Sequence, residues 1–355
     1  MTKGNKPRVV VIANPSVPVP PVLYGGAERI IHYVNVGLQA SGFTVDLIAG
    51  KGSQSYGGRL FLYAPAGLNI LRRIVQRLKF YWASLMLVRG ADLIINFGRV
   101  DYLGVFFRAK KQILNVFQNP ITQFEIDYLT KRSDRVRLVA VSKDQYSEIR
   151  SPIPFHVIHN CADTTKLKFD RESNRSYFVF IGRLTRNKGV KPAITIARTA
   201  GIRLKIAGPI PRPGTEDYSF YMREVEPFID NDQISYVGSV DDNGKNDLFA
   251  GAIAFLFPLD WKDPCPLTVS ESLACGVPVI ATRTASMPEL IDHGKTGFLC
   301  ESMDEFVSAI RNISSISNEY CRKIAEERFS QERLQKEYLA LVNALTSGAA
   351  LIGAK

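Results

Sequence analysis

Two acidic residues, Asp263 and Glu271, lie within a 261–281 stretch that reads Trp-Lys-Asp-Pro-Cys-Pro-Leu-Thr-Val-Ser-Glu-Ser-Leu-Ala-Cys-Gly-Val-Pro-Val-Ile-Ala. The pattern places the first acid in a loop and the second about one turn into a helix. The start of that helix, at 266–268, can turn free backbone N–H groups toward a phosphate. A carboxylate just behind it suits a ribose hydroxyl, which makes Glu271 a candidate for holding a sugar. Two acids on a surface helix is the plainer alternative, but it leaves the tight Ala-Cys-Gly turn into Val-Pro-Val-Ile unexplained. A second cluster reads Ile-Gly-Arg-Leu-Thr-Arg-Asn-Lys-Gly over 181–189. Arg183 and Lys188 there follow an expected strand, at the end where α/β sheets place ligands. A forked guanidinium and a compact ammonium together suit a diphosphate; a solvated basic loop is the competing reading. A third cluster, Tyr24-Gly25-Gly26-Ala27-Glu28-Arg29, puts two glycines at a loop-to-helix junction. Glycines let a ligand approach the backbone, and the helix start offers N–H groups. The spacing is not G-x-G-x-x-G, so the dinucleotide fingerprint is absent, and a plain turn explains the cluster equally well.

Strand–helix alternation must position these groups. In the first half, strands are expected over 8–13, 43–49, 93–96, 113–117, 138–141 and 156–159, with helices starting near Gly25, Leu68, Asp101, Thr122 and Ser142. In the second half, strands are expected over 177–181, 203–207, 234–237, 253–257 and 278–281. Helices there start near Lys188, Asp217, Lys245, Leu267, Asp304 and Gln331. Continuous Val/Ile-rich strands alternating with helices mean parallel sheets covered on both faces. The polar stretch 163–175 reads as a linker between the halves, and the small apolar tail 347–355 is expected to fray.

The 355 residues set a prior of two domains. Hydrophobic content of 46% and charged content of 22% are those of a globular chain. No run approaches the roughly 18–20 apolar residues that span a bilayer, and the apolar run 9–13 is too short for a signal-peptide core. A cytoplasmic location follows as an expectation, with attachment to the inner face of a membrane as its variant. Five cysteines without a CxxC read as free thiols. His156, His159 and Cys161 lie close together but have no matching second cluster, so no metal site is expected. The whole formal excess of +11 falls in residues 1–163, while 164–355 is balanced. A one-sided basic domain points to an anionic partner such as a membrane surface or a phosphorylated acceptor. No nucleic-acid recognition motif or aromatic platform is present, so nucleic acid is not expected as a partner.

With the three clusters in order, the chain resembles the family-4 retaining glycosyltransferases of the GT-B fold over nearly its full length. That family reads Y-G-G-x-E, then G-R-L with K-G after three or four residues, then E-x7-E leading into P-V-I-A. Residues 24–28, 182–189 and 263–281 supply these here, with Gly208-Pro209, Gly238, Pro288-Glu289, Gly294 and Gly297 matching smaller signatures. The resemblance implies two Rossmann-like parallel-sheet domains facing a central cleft. Residues 1–162 would form an acceptor-side domain and 163–330 a nucleotide-sugar domain, with helix 331–346 packing back on the first. It implies that Gly25, Gly26 and Glu28 lie near the donor and that Arg183 and Lys188 bind its diphosphate. Leu267 and Thr268 would offer backbone N–H groups, Glu271 would hold the ribose, and Asp263 would stand near the transferred sugar. Pro209, Ser239 and Val240 would border the base. The chain departs from the family where Asp263 replaces the first glutamate and Cys265-Pro266 replaces Phe-Gly. It departs again at Asn160-Cys161-Ala162-Asp163 and at the missing N-terminal-domain histidine, for which Gln118 is the substitute.

The implied reaction is transfer of a hexose from a UDP- or GDP-sugar to a glycan, lipid-linked or small-molecule hydroxyl with retention. The donor is a substrate and no cofactor is required, because Arg183 and Lys188 stabilise the departing diphosphate by preorganised charge. Asp230-Asn231-Asp232 reads as a turn rather than a metal motif. Competing classes are a GT-B epimerase or phosphorylase and a nucleotide-sugar-binding protein without catalysis. Finally, residues 68–88 read as an amphipathic helix with Leu71, Ile74, Leu78, Trp82 and Leu85 in one stripe. Arg72, Arg73, Arg77 and Lys79 lie opposite, with Phe80 and Leu87 among them. Either the helix packs on the first sheet, or its basic face with embedded apolar residues docks on an anionic membrane.

Overall fold

The computed structural model describes residues 6–22, 25–64 and 69–347; Tyr24, Leu68, the side chains of Arg72 and Arg73, and the tail 348–355 lie outside the described part. The chain divides into two compact units, one of Met1–His159 with Glu332–Lys355 and one of Asn160–Gln331.

The first unit is built on seven parallel strands: β1 (Arg8–Ile12), β2 (Thr44–Gly50), β3 (Gly57–Tyr63), β4 (Leu93–Asn96), β5 (Gln112–Val116), β6 (Val136–Ala140) and β7 (Phe155–Val157). Their order in the sheet is β3-β2-β1-β4-β5-β6-β7. The Val/Ile/Leu runs of β1 and β4 are buried without alternation, as a sheet covered on both faces requires. Asp46 interrupts β2 as a wholly buried carboxylate held by Arg8 at 2.8 Å and by Arg59 at 2.9 Å. The C-terminal helix Gln331–Ser347 lies on this unit. Its Gln335 Nε2 donates to Tyr33 O, and Gly37 gives Gln335 the space a Cβ would fill.

The second unit has six parallel strands: β8 (Tyr177–Ile181), β9 (Leu204–Ala207), β10 (Ile234–Tyr236), β11 (Ala252–Phe257), β12 (Val279–Thr282) and β13 (Gly297–Cys300). They run in the order β10-β9-β8-β11-β12-β13. Strand order therefore reverses between β8 and β11, and the carboxyl ends flanking such a reversal are where ligands bind. The structure is that of two Rossmann-like parallel-sheet units.

Several expectations change. β3 is a strand although none is expected over 57–63, which begins with two glycines. A Cβ on Gly58 would collide with Val45 O, at an irregularity in the pairing of β2 with β3, so the glycine serves close backbone approach. β13 was hidden for a similar reason: a Cβ on its first residue, Gly297, would strike Val279 O. The helix expected at Ser142 is only a 3-10 turn, Asp144–Tyr146. The stretch 163–175 is not a free linker. Asp163 Oδ1 accepts from Thr165 and Lys166, Arg322 donates to Thr164 O and Leu167 O, and Lys168 N donates to Asn246. Its polarity serves hydrogen bonds, and it belongs to the second unit.

The Ile70–Val88 helix does pack on the first sheet, but through the arc of Phe80 and Leu87 that the second reading gave to a membrane. Ala83, Ser84, Leu87 and Val88 are buried, and the Phe80 ring lies 5.2 Å from Tyr63 and 4.8 Å from Tyr102. Phe80 and Leu87, expected on a basic outer face, therefore face the core. The stripe of Leu71, Ile74, Leu78, Trp82 and Leu85 is exposed. The helix carries two apolar arcs, and the small side chains of Ala83 and Ser84 let the second one approach the sheet. Among the described residues no helix is long and apolar enough to cross a membrane.

Candidate active site

At the carboxyl end of the second sheet, three loops are tied together by backbone contacts. Gly182 N donates to Ala207 O, Leu184 N to Pro209 O, and Gly208 N to Gly238 O. Gly208, at φ 143°, passes so close that a Cβ would collide with Gly182 O. Gly189 has φ 80° and starts the Val190–Ala200 helix where any side chain would strike Pro258 O. Both glycines are required by left-handed backbone and by close approach. Gly189 brings the loop after β8 against the loop after β11, and Gly208 brings the loop after β9 against the loop after β8.

Those loops carry the charge. Lys188 Nζ lies 2.5 Å from Asp263 Oδ2, and both side chains are largely buried. The Trp261 indole donates to the same Oδ2 at 3.5 Å, and the Lys188 ammonium sits 5.6 Å from the Trp261 ring centre. Ser286 Oγ donates to Asp263 O, and Asn160 Nδ2 to Cys265 O. These two bonds hold the 263–265 backbone from both sides and give the Asn160 of the Asn-Cys-Ala-Asp sequence a structural task. The Leu267–Ala274 helix follows with Pro266 at its N-cap and no side-chain cap, which leaves the N–H groups of Leu267 and Thr268 directed along the helix axis. Glu271, on the next turn, is 4% exposed. Its Oε1 takes a 2.7 Å ion pair from Lys245 of the Asp242–Ala250 helix.

Arg183 Nε and Glu271 Oε2 are both buried and have no hydrogen-bond partner in the protein. Buried polar groups are nearly always satisfied, and each exception calls for a cause. Here a donor and an acceptor are left open on one sheet edge, beside two ion pairs that are each neutral. Arg183 has no acidic partner among the described residues, so its positive charge is not cancelled by an ion pair there.

Arg183, Lys188, Asp263, Leu267, Thr268 and Glu271 thus belong to the loops and the helix at this edge. Pro209 borders it through the Leu184 bond. Ser239 is exposed and Val240 half-buried in the loop after β10, which Gly238 ties to Gly208. Lys245 and Trp261 were missed as functional candidates. Lys245 is 26 residues from its partner, and no local spacing announces that pair.

Gly25, Gly26, Glu28 and Gln118 lie in the first unit. Gly25 precedes the Gly26–Ala40 helix; a Cβ on it would come within 2.7 Å of Pro21 and 3.1 Å of Glu28 Oε2. Glu28 is buried, and burial pushes its carboxyl above the usual value of 4.5, opposed by a backbone hydrogen bond. Gln118 follows β5, two strands from β1 in the sheet. Its Nε2 is buried without a partner, while Gln145 Nε2 donates to Phe117 O and Asn119 O on either side of it. No group of three or more His, Cys, Asp or Glu suited to a metal occurs among the described residues. Asp230 Oδ1 accepts from Asp232 N and Ile234 N, which makes Asp-Asn-Asp a turn. All five cysteines are buried free thiols.

Residues 163–330 match the family Glycosyl transferases group 1. The matched span is nearly the whole of the second unit and contains every charged residue of the edge described above. Over 106 residues the chain is 34% identical to the N-acetyl-alpha-D-glucosaminyl L-malate synthase of Bacillus anthracis, covering 27% of this chain and 28% of that protein. Over 156 residues it is 23% identical to the O-antigen chain mannosyltransferase B of Escherichia coli, covering 43% of this chain and 40% of that protein. The chain therefore spans less than half the length of these curated relatives. Among solved structures, a sucrose-phosphate synthase from Thermosynechococcus elongatus superposes with a TM-score of 0.80 at 16% identity, over 97% of this chain and 100% of that one. Anabaena Alr3699/HepE in complex with UDP-glucose superposes with a TM-score of 0.72 at 15% identity, over 95% and 99%. These likenesses show the fold, which is GT-B.

Proposed function

We propose that the protein is a nucleotide-sugar-dependent glycosyltransferase. It moves a hexose from a UDP- or GDP-sugar to a hydroxyl of a glycan, lipid-linked or small-molecule acceptor, with retention at the anomeric carbon, in the making of a cell-surface polysaccharide. The observation that carries the reading is the pair of open buried atoms, Arg183 Nε and Glu271 Oε2, at one sheet edge. A diphosphate joined to a ribose satisfies both: the phosphate accepts from the guanidinium, and a ribose hydroxyl donates to the carboxylate. The group 1 match over 163–330 supports it, as does a fold shared with a protein solved with UDP-glucose.

As the glycosidic bond to the donor breaks, negative charge grows on the departing diphosphate. Lys188 and Lys245 already neutralise Asp263 and Glu271, so Arg183 supplies the net positive charge. Lys188 adds a second donor, and the N–H groups of Leu267 and Thr268 add the helix-terminus field. Asp263, fixed by Lys188 and Trp261, faces the transferred sugar. Pro209, Ser239 and Val240 border the base. Gly25, Gly26 and Glu28 are donor-side residues of the first unit, and Gln118 serves the sugar. With two cations aimed at the leaving group, the reaction asks for no metal, and turnover is expected to survive chelation.

A thermal-shift panel of uridine-, guanosine- and adenosine-diphosphate sugars comes first. A rise with a uridine or guanosine sugar supports the reading, and no rise with any of them counts against it. Nucleoside diphosphate released only when an acceptor is present distinguishes transfer from epimerase or phosphorylase chemistry. Binding without any release would leave a nucleotide-sugar-binding protein.

A further inference from the structure

Two other amphipathic helices of the molecule bury their large apolar side chains. The Gly26–Ala40 helix places Ile30, Ile31, Val34 and Leu38 in the core, and the Val190–Ala200 helix does the same with Val190, Ile194 and Ile196. The Ile70–Val88 helix does not. Leu71 is 70% exposed, Leu78 61% and Trp82 56%, with Ile74 and Leu85 exposed on the same side. The helix is anchored nonetheless, because Ala83, Ser84 and Leu87 are wholly or nearly wholly buried on the other side.

At 100° per residue the five exposed side chains span about 80° of the helix. Arg77 and Lys79, both exposed, stand about 60° beyond opposite edges of that arc on the same measure. Residues 70–88 contain no Asp or Glu. A continuous apolar row with cations along both margins and an indole within it is the pattern of a helix lying in a lipid interface, its apolar face among acyl chains and its cations at anionic headgroups. Isolated exposed leucines are ordinary, whereas a contiguous patch marks an interaction surface.

We propose that this face of the Ile70–Val88 helix docks the protein on an anionic lipid membrane, with Leu71, Ile74, Leu78, Trp82 and Leu85 entering the interface and Arg77 and Lys79 pairing with headgroups. The occupant follows from charge. The first unit holds the whole positive excess of the chain within residues 1–163, and this helix carries four Lys or Arg within residues 72–79. A second copy would bring two such faces into repulsion, while an acidic lipid surface attracts them. Nineteen residues make a rod about 28 Å long, and it lies flat, since no described helix is apolar enough to span.

Vesicle flotation of the full chain tests this, with phosphatidylcholine alone or mixed with phosphatidylglycerol, at low and physiological salt. The protein is expected to float with the mixed vesicles, at least about tenfold less with neutral ones, and less as salt rises. Leu71→Glu with Leu78→Glu is expected to abolish flotation while leaving the far-ultraviolet circular dichroism and melting temperature unchanged, because neither side chain reaches the core. Arg77→Glu with Lys79→Glu is expected to remove the preference for the acidic lipid. No flotation with acidic vesicles at low salt overturns the proposal, as does flotation that Leu71→Glu with Leu78→Glu leaves intact. Concentration-dependent self-association without vesicles, lost in that same variant, would assign the face to a second copy instead. Flotation needs neither donor nor acceptor, so its failure is separate from that of the catalytic reading.

Discussion

The carboxyl ends of the two sheets are built from different chemistry. In the second unit the loops after β8 and β11 hold Arg183, the Lys188–Asp263 pair and, one helix turn on, Glu271 with Lys245. In the first unit the same end holds buried amides, with charged residues such as the exposed Arg99–Asp101 pair outside them. Asn96 and Asn115 face each other across β4 and β5 and are joined at 2.7 Å, and Gln145 bridges the backbone on both sides of Gln118. Its one buried acid near the Gly25 turn, Glu28, has its carboxyl pushed above the ordinary range by burial. One Rossmann-like architecture thus supports buried ion pairs at one edge and buried amides at the other. Function resides in the side chains the loops carry rather than in the sheet.

Substitutions can break this contrast, beginning with the strongest effect. Lys245→Met removes the counter-ion of a carboxylate that is 4% exposed, and leaving such a charge unpaired costs about 3–5 kcal/mol. Chemical denaturation should show that loss, and adding Glu271→Leu should recover most of the stability without restoring donor binding. Arg183→Ala should cut transfer by at least about tenfold, the effect of removing a preorganised charge from the leaving group, with little change in melting temperature. Unchanged turnover would remove Arg183 from the site. Gln118→Ala, among the amides of the first unit, should lower kcat by only a few fold, because an amide contributes one neutral hydrogen bond of about 1 kcal/mol.

The smallest effect concerns pH. A carboxyl raised by burial binds its proton more tightly in the folded protein than in the unfolded one. Its contribution to stability is therefore complete below the ordinary carboxylate value and is lost as pH rises through the elevated one. Glu28→Gln should accordingly raise the melting temperature at neutral pH and leave it nearly unchanged near pH 4. An equal shift at both values would mean that packing, not charge, sets the cost of Glu28.

Most strands are legible in the sequence, because a strand buried on both faces must be a short unbroken run of Val, Ile, Leu or Phe. β1, β4, β8 and β11 are of this kind. β3 and β13 were not readable, since each starts with glycine where backbone approaches backbone, and glycine in isolation reads as a turn. The Thr122 capping box, with Glu125 returning the bond to Thr122 N, lies where the 122 helix start was placed. The stretch 163–175 misled because polar residues look alike whether they solvate a tether or tie a segment to its own domain.

The candidate site divides along the same line. Arg183, Lys188, Asp263 and Glu271 could be singled out from residue type and local spacing, because loop-to-helix junctions after strands are written in contiguous residues. Their partners could not. Lys245 meets Glu271 from a separate helix, Lys188 turns out to neutralise Asp263, and the Ile70–Val88 helix chose its smaller apolar arc for the core. Local periodicity and junction chemistry belong to neighbouring residues, so the linear chain carries them. Which distant charges pair, which buried atoms stay open, and which side of a doubly apolar helix meets solvent depend on contacts between segments far apart in the chain, and packing alone settles those.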